Sequence, residues 1–353
     1  MPDNHGFPTD RAALTGRLFP DGIPELWSPT LVFYDENGAI DAARQAAHLA
    51  FMAPHVKGLL VPGSTGDAWE MGDEEALAAL DAAIPIAAEQ GVHLLAGALR
   101  PTPEATLALI GKILDHLRRR TGRDTAADAF AAARVRGVTI AAPTSAQPLS
   151  QDAIRDALEP VLSLGLPFAV YQLPQITGNT MAPELVAGLA ERHPNFLLFK
   201  DSGGRDEVAL SGLMPPGVFL MRGAEGDYAR WAKASGGPYD GFLLSSANAF
   251  PSQLANVLAH LRQGRPDEAG RCSAAVSAAV ADAFAAVAEL RHGNAFTNAN
   301  KALAHAMAWG RHAADAPPPR LHAATTVPRA VLDTVAESLE RQGLIPARGY
   351  MEE

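Results

Sequence analysis

Short apolar runs with β character recur along the chain, each separated from the next by a longer stretch with helical periodicity, and no other feature constrains the fold as much. Consecutive strands of a parallel sheet need a crossover between them, and a helix is the usual one. Eight runs qualify: Leu31 to Phe33, Gly58 to Gly63, His93 to Ala98, Gly137 to Pro143, Phe168 to Pro174, Phe196 to Lys200, Val218 to Gly223 and Gly241 to Ser246. Helical patterns fall at Asp41 to Met52, Asp73 to Gln90, Thr102 to Arg119, Ser150 to Leu164, Ala182 to Arg192, Asp227 to Ser235 and Pro251 to Arg262. Eight strands with matching helices predict an α/β fold, the (β/α)8 TIM barrel, although a doubly wound sheet shows a similar alternation. The chain, at 353 residues, is long enough to form such a barrel as one unit.

After Arg265 the strand signal stops, and the chain reads as helical to about Gly343 with a proline-rich joint at Asp315 to Arg320. The expected organisation is an N-terminal arm over 1–22, a barrel catalytic domain over 23–264 and a C-terminal helical extension over 265–353. The opening MPDNHGFPTDRAAL has no basic-then-apolar leader pattern and reads as a loosely ordered arm. Thr121 to Arg134 reads as extra length between a helix and the next strand.

Charge narrows the function classes. With 39 acidic against 29 basic residues the net charge is −10, which argues against nucleic acid or an anionic membrane as partner. The one basic cluster, Arg118 to Arg123, has no aromatic residues interleaved and reads as a solvated helix end. A single cysteine, Cys272, permits no internal disulfide, reads as a small core residue, and suits a reducing, cytoplasmic location. The alanine-rich stretch Ser273 to Leu290 carries Asp282 and Glu289 and reads as a packed helix, not a membrane span. No histidine pair has the spacing of a metal-ligand motif.

The chemistry is sought at strand ends, because in a barrel those ends face the active site. Only five lysines occur, and one of them, Lys200, closes the run FLLF and is followed at once by the turn DSGG. An amine taken out of water is costly to charge, and the free amine is a nucleophile that adds to a 2-keto acid carbonyl as a Schiff base. A strand-end lysine also snorkels to solvent or pairs with an acid, here Asp201. Tyr171 lies in FAVYQLP and offers a hydroxyl, or simply a packed ring. Gly63 to Asp67, GSTGD, follows another strand with two hydroxyls and turn-forming glycines; it suits an anion such as a carboxylate, and is equally a structural turn.

Taken together, YDENGAID, GLLVPGSTGDAWEM, YQLPQITGNTM, LFKDSGG and NANKAL, in this order over about Ile23 to Gly310, resemble the dihydrodipicolinate synthase and N-acetylneuraminate lyase superfamily of Schiff-base class I aldolases. The resemblance implies that Lys200 forms the imine and Tyr171 relays protons. It implies that Ser64 and Thr65 bind the keto-acid carboxylate and that Gly223 brings backbone close to the bound acid. It implies no metal and no organic cofactor, a small-molecule 2-keto acid as partner, and a homo-oligomer, dimer or tetramer. The segment AEGDY after Gly223 places Glu225 where the sialic-acid lyase branch binds substrate hydroxyls, with Ser202, Ser246 and Asn248 as further polar groups. Glu225 and Asp227 equally suit the N-terminus of the next helix.

Two positions depart from the pattern. Ile176 stands where dihydrodipicolinate synthases carry an arginine for the second carboxylate, and Thr144 and Ser145 replace the aromatic pair of the interface tyrosine relay. The expected function is a lyase acting on a pyruvate-type 2-keto acid through Lys200, by aldol cleavage or condensation of a hydroxylated 2-keto acid. The alternatives are a sugar-acid dehydratase, a dihydrodipicolinate synthase, and a non-catalytic keto-acid-binding homologue.

Overall fold

The computed structural model describes residues 5–352. Eight strands close in sequence order into a barrel. They are β1 (Leu26–Pro29), β2 (Gly58–Val61), β3 (His93–Gly97), β4 (Val135–Ala141), β5 (Phe168–Gln172), β6 (Phe196–Asp201), β7 (Phe219–Arg222) and β8 (Gly241–Leu243). β5, β6 and β7 pair in parallel, with Tyr171 opposite Lys200 and Lys200 opposite Met221. The next row is Gln172, Asp201 and Arg222. Successive side chains of a strand point to opposite faces, so the two rows face opposite ways.

The expected barrel is therefore present, but its first strand lies five residues earlier than Leu31 to Phe33. That run is buried, yet its backbone bonds to side chains instead of a ladder. Leu31 N–H donates to Asn248 Oδ1, Phe33 N–H donates to Gln45 Oε1, and Leu31 C=O accepts from Gln45 Nε2. β1 itself contains Pro29, whose missing N–H weakens the strand signal.

Most helices fall where their caps and periodicity put them. Asp41 caps Ala42–Met52, Thr102 caps Pro103–Thr121 and Ser150 caps Gln151–Leu162, each accepting from a backbone N–H in the first turn. Asp227 to Ser235 is the exception. Only Tyr228–Trp231 is helical there, extended Ala232 interrupts it, and Lys233–Ser235 is a 3₁₀ turn. Beyond Arg265 the helices are Pro266–Ala286, Ala295–Trp309 and Arg329–Arg341. Among the described residues no helix is long and apolar enough to cross a membrane.

The chain divides into two compact units. One comprises Met1–Glu25, His93–Ala224 and Pro238–Leu243 and carries β3 to β8; the other comprises Leu26–Val92, Glu225–Gly237 and Leu244–Glu353. Within the first, the segment read as a loose arm includes a helix; its first four residues lie outside the described residues. Asp10 caps the helix Arg11–Leu18, which buries Leu14 and Leu18. Phe7 meets Phe130 edge-on, with centroids 5.5 Å apart. Phe130 belongs to a helix, Ala126–Ala132, that fills the extra length after Thr121. Cys272 is half-buried on Pro266–Ala286, and its Sγ–H donates to Gln253 C=O at 3.3 Å.

Candidate active site

Lys200 ends its apolar strand with only 3% of its surface exposed. Its Nζ lies 3.9 Å from the centroid of the Tyr171 ring, its register partner on β5. Beyond it, Gly223 N–H donates to Asp201 C=O at 2.6 Å, drawing the chain after β7 against β6. A Cβ at residue 223 would stand 2.6 Å from Lys200 Cε and 2.1 Å from Ser202 Oγ, so any larger residue there forces one of those side chains to move. Lys200, Tyr171, Ser202 and Gly223 are thus brought together.

The pairing of Lys200 with Asp201 does not occur. Asp201 faces the other way, and its Oδ1 accepts from Gly203 N–H at 2.8 Å and Gln172 Nε2 at 3.4 Å. Burial raises the Asp201 carboxyl above its ordinary pKa, against those hydrogen bonds. Among the described residues, no ion pair or hydrogen bond engages Lys200 Nζ. Lys301, by contrast, is fully buried but committed, 3.4 Å from Asp67 Oδ2 and donating to Arg320 C=O at 2.8 Å. Burial lowers its pKa and Asp67 opposes the shift. Lys57 donates to Ala53 C=O.

Behind Lys200, a buried ion pair holds β7. Arg222 makes a two-pronged contact with Asp206, at 2.9 Å and 3.2 Å, and the Tyr239 hydroxyl donates to Asp206 Oδ1 at 2.6 Å. Sequence reading missed this cluster, since its members are scattered over three segments.

In the second unit, Ser64 and Thr65 lie in a buried 3₁₀ turn, Ser64–Gly66. A Cβ on Gly66 would stand 2.2 Å from Thr30 C=O, which accounts for the second glycine of GSTGD. Thr297 Oγ1 donates to the carbonyls of Ser64 and Thr65, at 3.3 Å and 3.0 Å, and Asn294 Nδ2 donates to Ser64 C=O at 3.1 Å. Ser64 Oγ accepts from Trp69 Nε1 at 2.9 Å. Asp67, at φ 62, accepts from the Tyr34 hydroxyl at 2.9 Å as well as facing Lys301. Burial, with Asp67 next, raises the Tyr34 pKa. Three separate motifs, YDENGAID, GSTGD and NANKAL, therefore meet through Tyr34, Asp67 and Lys301; each was visible in sequence, their junction was not.

Glu225 and Ser246 are also together, but not as an open binding surface. Glu225 Oε1 accepts from Ser245 Oγ at 2.6 Å and Ser246 N–H at 3.0 Å, and Oε2 accepts from Tyr228 Oη at 2.8 Å and Ser246 Oγ at 2.6 Å. A carboxylate has about four lone-pair directions, and these donors use them all. Asn248 is equally committed, donating to Pro29 and Ser245 carbonyls while accepting from Leu31 N–H and His48 Nε2. Asp227, at φ 51, makes no side-chain cap on its one-turn helix.

Of the two departures, Ile176 is half-buried in the turn Pro174–Thr177. Ser145 is tied locally, its hydroxyl donating to Gln147 C=O at 2.7 Å and accepting from Asn179 Nδ2 at 2.9 Å. Among the described residues no three His, Cys, Asp or Glu side chains group as a metal site would require.

The chain is similar in sequence and fold to several known proteins. Residues 125–291 match the family model described as the dihydrodipicolinate synthetase family. A 4-hydroxy-tetrahydrodipicolinate synthase of Methanosphaerula palustris is 26% identical over 257 residues, covering 71% of this chain and 79% of that protein. An Emericella nidulans protein described as "Probable 4-hydroxy-2-oxoglutarate aldolase, mitochondrial" is 25% identical over 265 residues, covering 73% and 79%. Among solved structures, a variant of the Sulfolobus solfataricus 2-keto-3-deoxygluconate aldolase superposes with a TM-score of 0.69 at 14% identity, covering 91% of this chain and 96% of that one.

Proposed function

We propose that the chain, which resembles the dihydrodipicolinate synthetase family over residues 125–291, is a lyase of that kind and that Lys200 forms a Schiff base with a pyruvate-type 2-keto acid. The amine adds to the carbonyl carbon, water leaves, and the protonated imine nitrogen takes up the electron pair when the neighbouring carbon–carbon bond breaks. The resulting enamine is protonated on carbon, and hydrolysis of the imine frees the lysine. Tyr171 is the group that carries protons in these steps. Ser64 and Thr65 hold the carboxylate, and Gly223 leaves the space beside Lys200.

One observation carries the reading: a buried lysine at the end of an apolar strand, with no ion pair among the described residues, stacked on a tyrosine ring and facing a glycine. The substrate we favour is a hydroxylated 2-keto acid, cleaved or formed by an aldol step, because Ile176 offers no charge to a second carboxylate. Glu225, saturated by its own chain, holds Ser245 and Ser246 in place and does not receive a substrate hydroxyl. The barrel over 23–264 is taken as the catalytic part and 265–353 as its helical extension. A cytoplasmic homo-oligomer, dimer or tetramer, belongs to the same reading; Leu210 and Leu213, 61% and 46% exposed, offer it an apolar contact.

Pyruvate with borohydride, followed by peptide mapping, tests the nucleophile. One stable adduct on Lys200 is expected, and none in Lys200→Ala. An adduct on Lys57 or Lys301, or an undiminished adduct in the variant, removes Lys200 from the role.

A further inference from the structure

The hydrogen-bond inventory of the Ser64–Gly66 turn is lopsided. The carbonyl of Ser64 accepts from Asn294 and Thr297, the carbonyl of Thr65 accepts from Thr297, and Ser64 Oγ accepts from the Trp69 indole. Among the described residues, neither the Ser64 hydroxyl proton nor the Thr65 hydroxyl has an acceptor within the chain, although both side chains are buried. A serine hydroxyl has one proton and two lone pairs, and an indole N–H can only donate. Trp69 therefore fixes Ser64 Oγ as an acceptor toward itself and leaves its proton to point elsewhere. A turn whose carbonyls are occupied and whose protons are unspent is built to receive an anion.

We propose that Trp69 is a positioning residue that aims the Ser64 hydroxyl proton at the carboxylate of the bound 2-keto acid. The proposal rests on the reading of Ser64 as a carboxylate contact and adds to it a residue five positions along, which no other observation assigns. The Trp69 side chain is half-buried and reaches Ser64 from the segment just after Asp67, so its own anchorage is the turn held by Tyr34 and Lys301.

Trp69→Phe keeps an aromatic ring and deletes the donor. With the full chain, the pyruvate concentration that half-saturates borohydride trapping should rise about three- to tenfold, the scale of one neutral hydrogen bond. The maximal trapping rate should stay within about twofold, since the proposed nucleophile is untouched. Methyl pyruvate, which has the same ketone but no carboxylate, separates positioning from general damage: its trapping should be equal in the two proteins. Equal weakening toward both compounds, or no change toward pyruvate, overturns the proposal. Ser64→Ala keeps the two readings apart. If Ser64→Ala leaves pyruvate half-saturation unchanged, the carboxylate role of Ser64 itself fails; if it weakens pyruvate and Trp69→Phe does not, only the role of Trp69 fails. In a fluorotryptophan-labelled wild-type chain, the Trp69 resonance among the four tryptophans should move with pyruvate and not with methyl pyruvate, and an unmoved resonance counts against it.

Discussion

Glu225→Gln should cost the fold, not the recognition of substrate hydroxyls. An amide replaces one carboxylate oxygen with an NH₂ group, and it cannot face Ser246 N–H, which only donates. The NH₂ must therefore turn toward Tyr228 Oη and Ser246 Oγ, hydroxyls that now donate to Oε2 at 2.8 Å and 2.6 Å. Both residues are fully buried, so their displaced protons have no water to turn to. Two hydrogen bonds to a charge become neutral ones, and two buried donors must be re-paired, for a loss of about 2–4 kcal/mol. Urea unfolding reads that loss as a lower midpoint. kcat/KM measured with a short keto acid and a polyhydroxylated one should fall by the same factor. An unchanged midpoint, with the loss confined to the polyhydroxylated substrate, would refute the accounting and return Glu225 to hydroxyl binding.

Gly223→Ala places a methyl group against Lys200 Cε and Ser202 Oγ, an overpacking of about 1–3 kcal/mol. Borohydride trapping of pyruvate should slow about tenfold or more, and a normal rate would show that the chain after β7 yields without disturbing the lysine. Acid should weaken the fold through histidines. Burial lowers His48, His93 and His305 each to about 4, so between about pH 4 and 6.5 the unfolded chain binds protons that the folded chain refuses. Stability must then fall as pH drops through that window, as urea midpoints across it will read. Replacing His48 by Gln should flatten the slope, and an unchanged slope would show that His48 is protonated in the fold.

Periodicity made the helices legible, and the strand-end rule made the place of Lys200, buried in β6, legible, because both depend on neighbours in sequence. Asp73–Gln90 is an example: acids fill its first turn, and Gly91 at φ 68 ends it. What escaped depends on partners far apart. Leu31 to Phe33 looks like a strand because it is apolar, but its backbone is satisfied by side chains, Gln45 nearby and Asn248, 217 residues away. Glu225 looked available because its donors Ser245 and Ser246 lie about one crossover further on. The proton of His48 was likewise out of reach. Asn248 Oδ1 can only accept, so Nε2 carries the hydrogen, and Nδ1 must accept from the Tyr350 hydroxyl at 3.0 Å near the other end of the chain.

The same reasoning explains why a buried ion pair accompanies the Ser64–Gly66 turn. Lys301 and Asp67 are both taken out of water, and such a pair often contributes little to stability compared with apolar groups of the same size. Its geometry suggests a positional use. Asp67 stands at φ 62, a conformation unfavourable for a residue with a Cβ, immediately after the turn that presents Ser64 and Thr65. Tyr34 and Lys301 bind one oxygen of that carboxylate, while Thr297, one turn before Lys301 on the same helix, binds the carbonyls of Ser64 and Thr65. One helix thus grips the turn at both ends, by charge beyond it and by a hydroxyl within it. The carboxylate contact proposed for Ser64 and Thr65 needs a backbone that cannot drift, and this double grip supplies one at the expense of two desolvated charges.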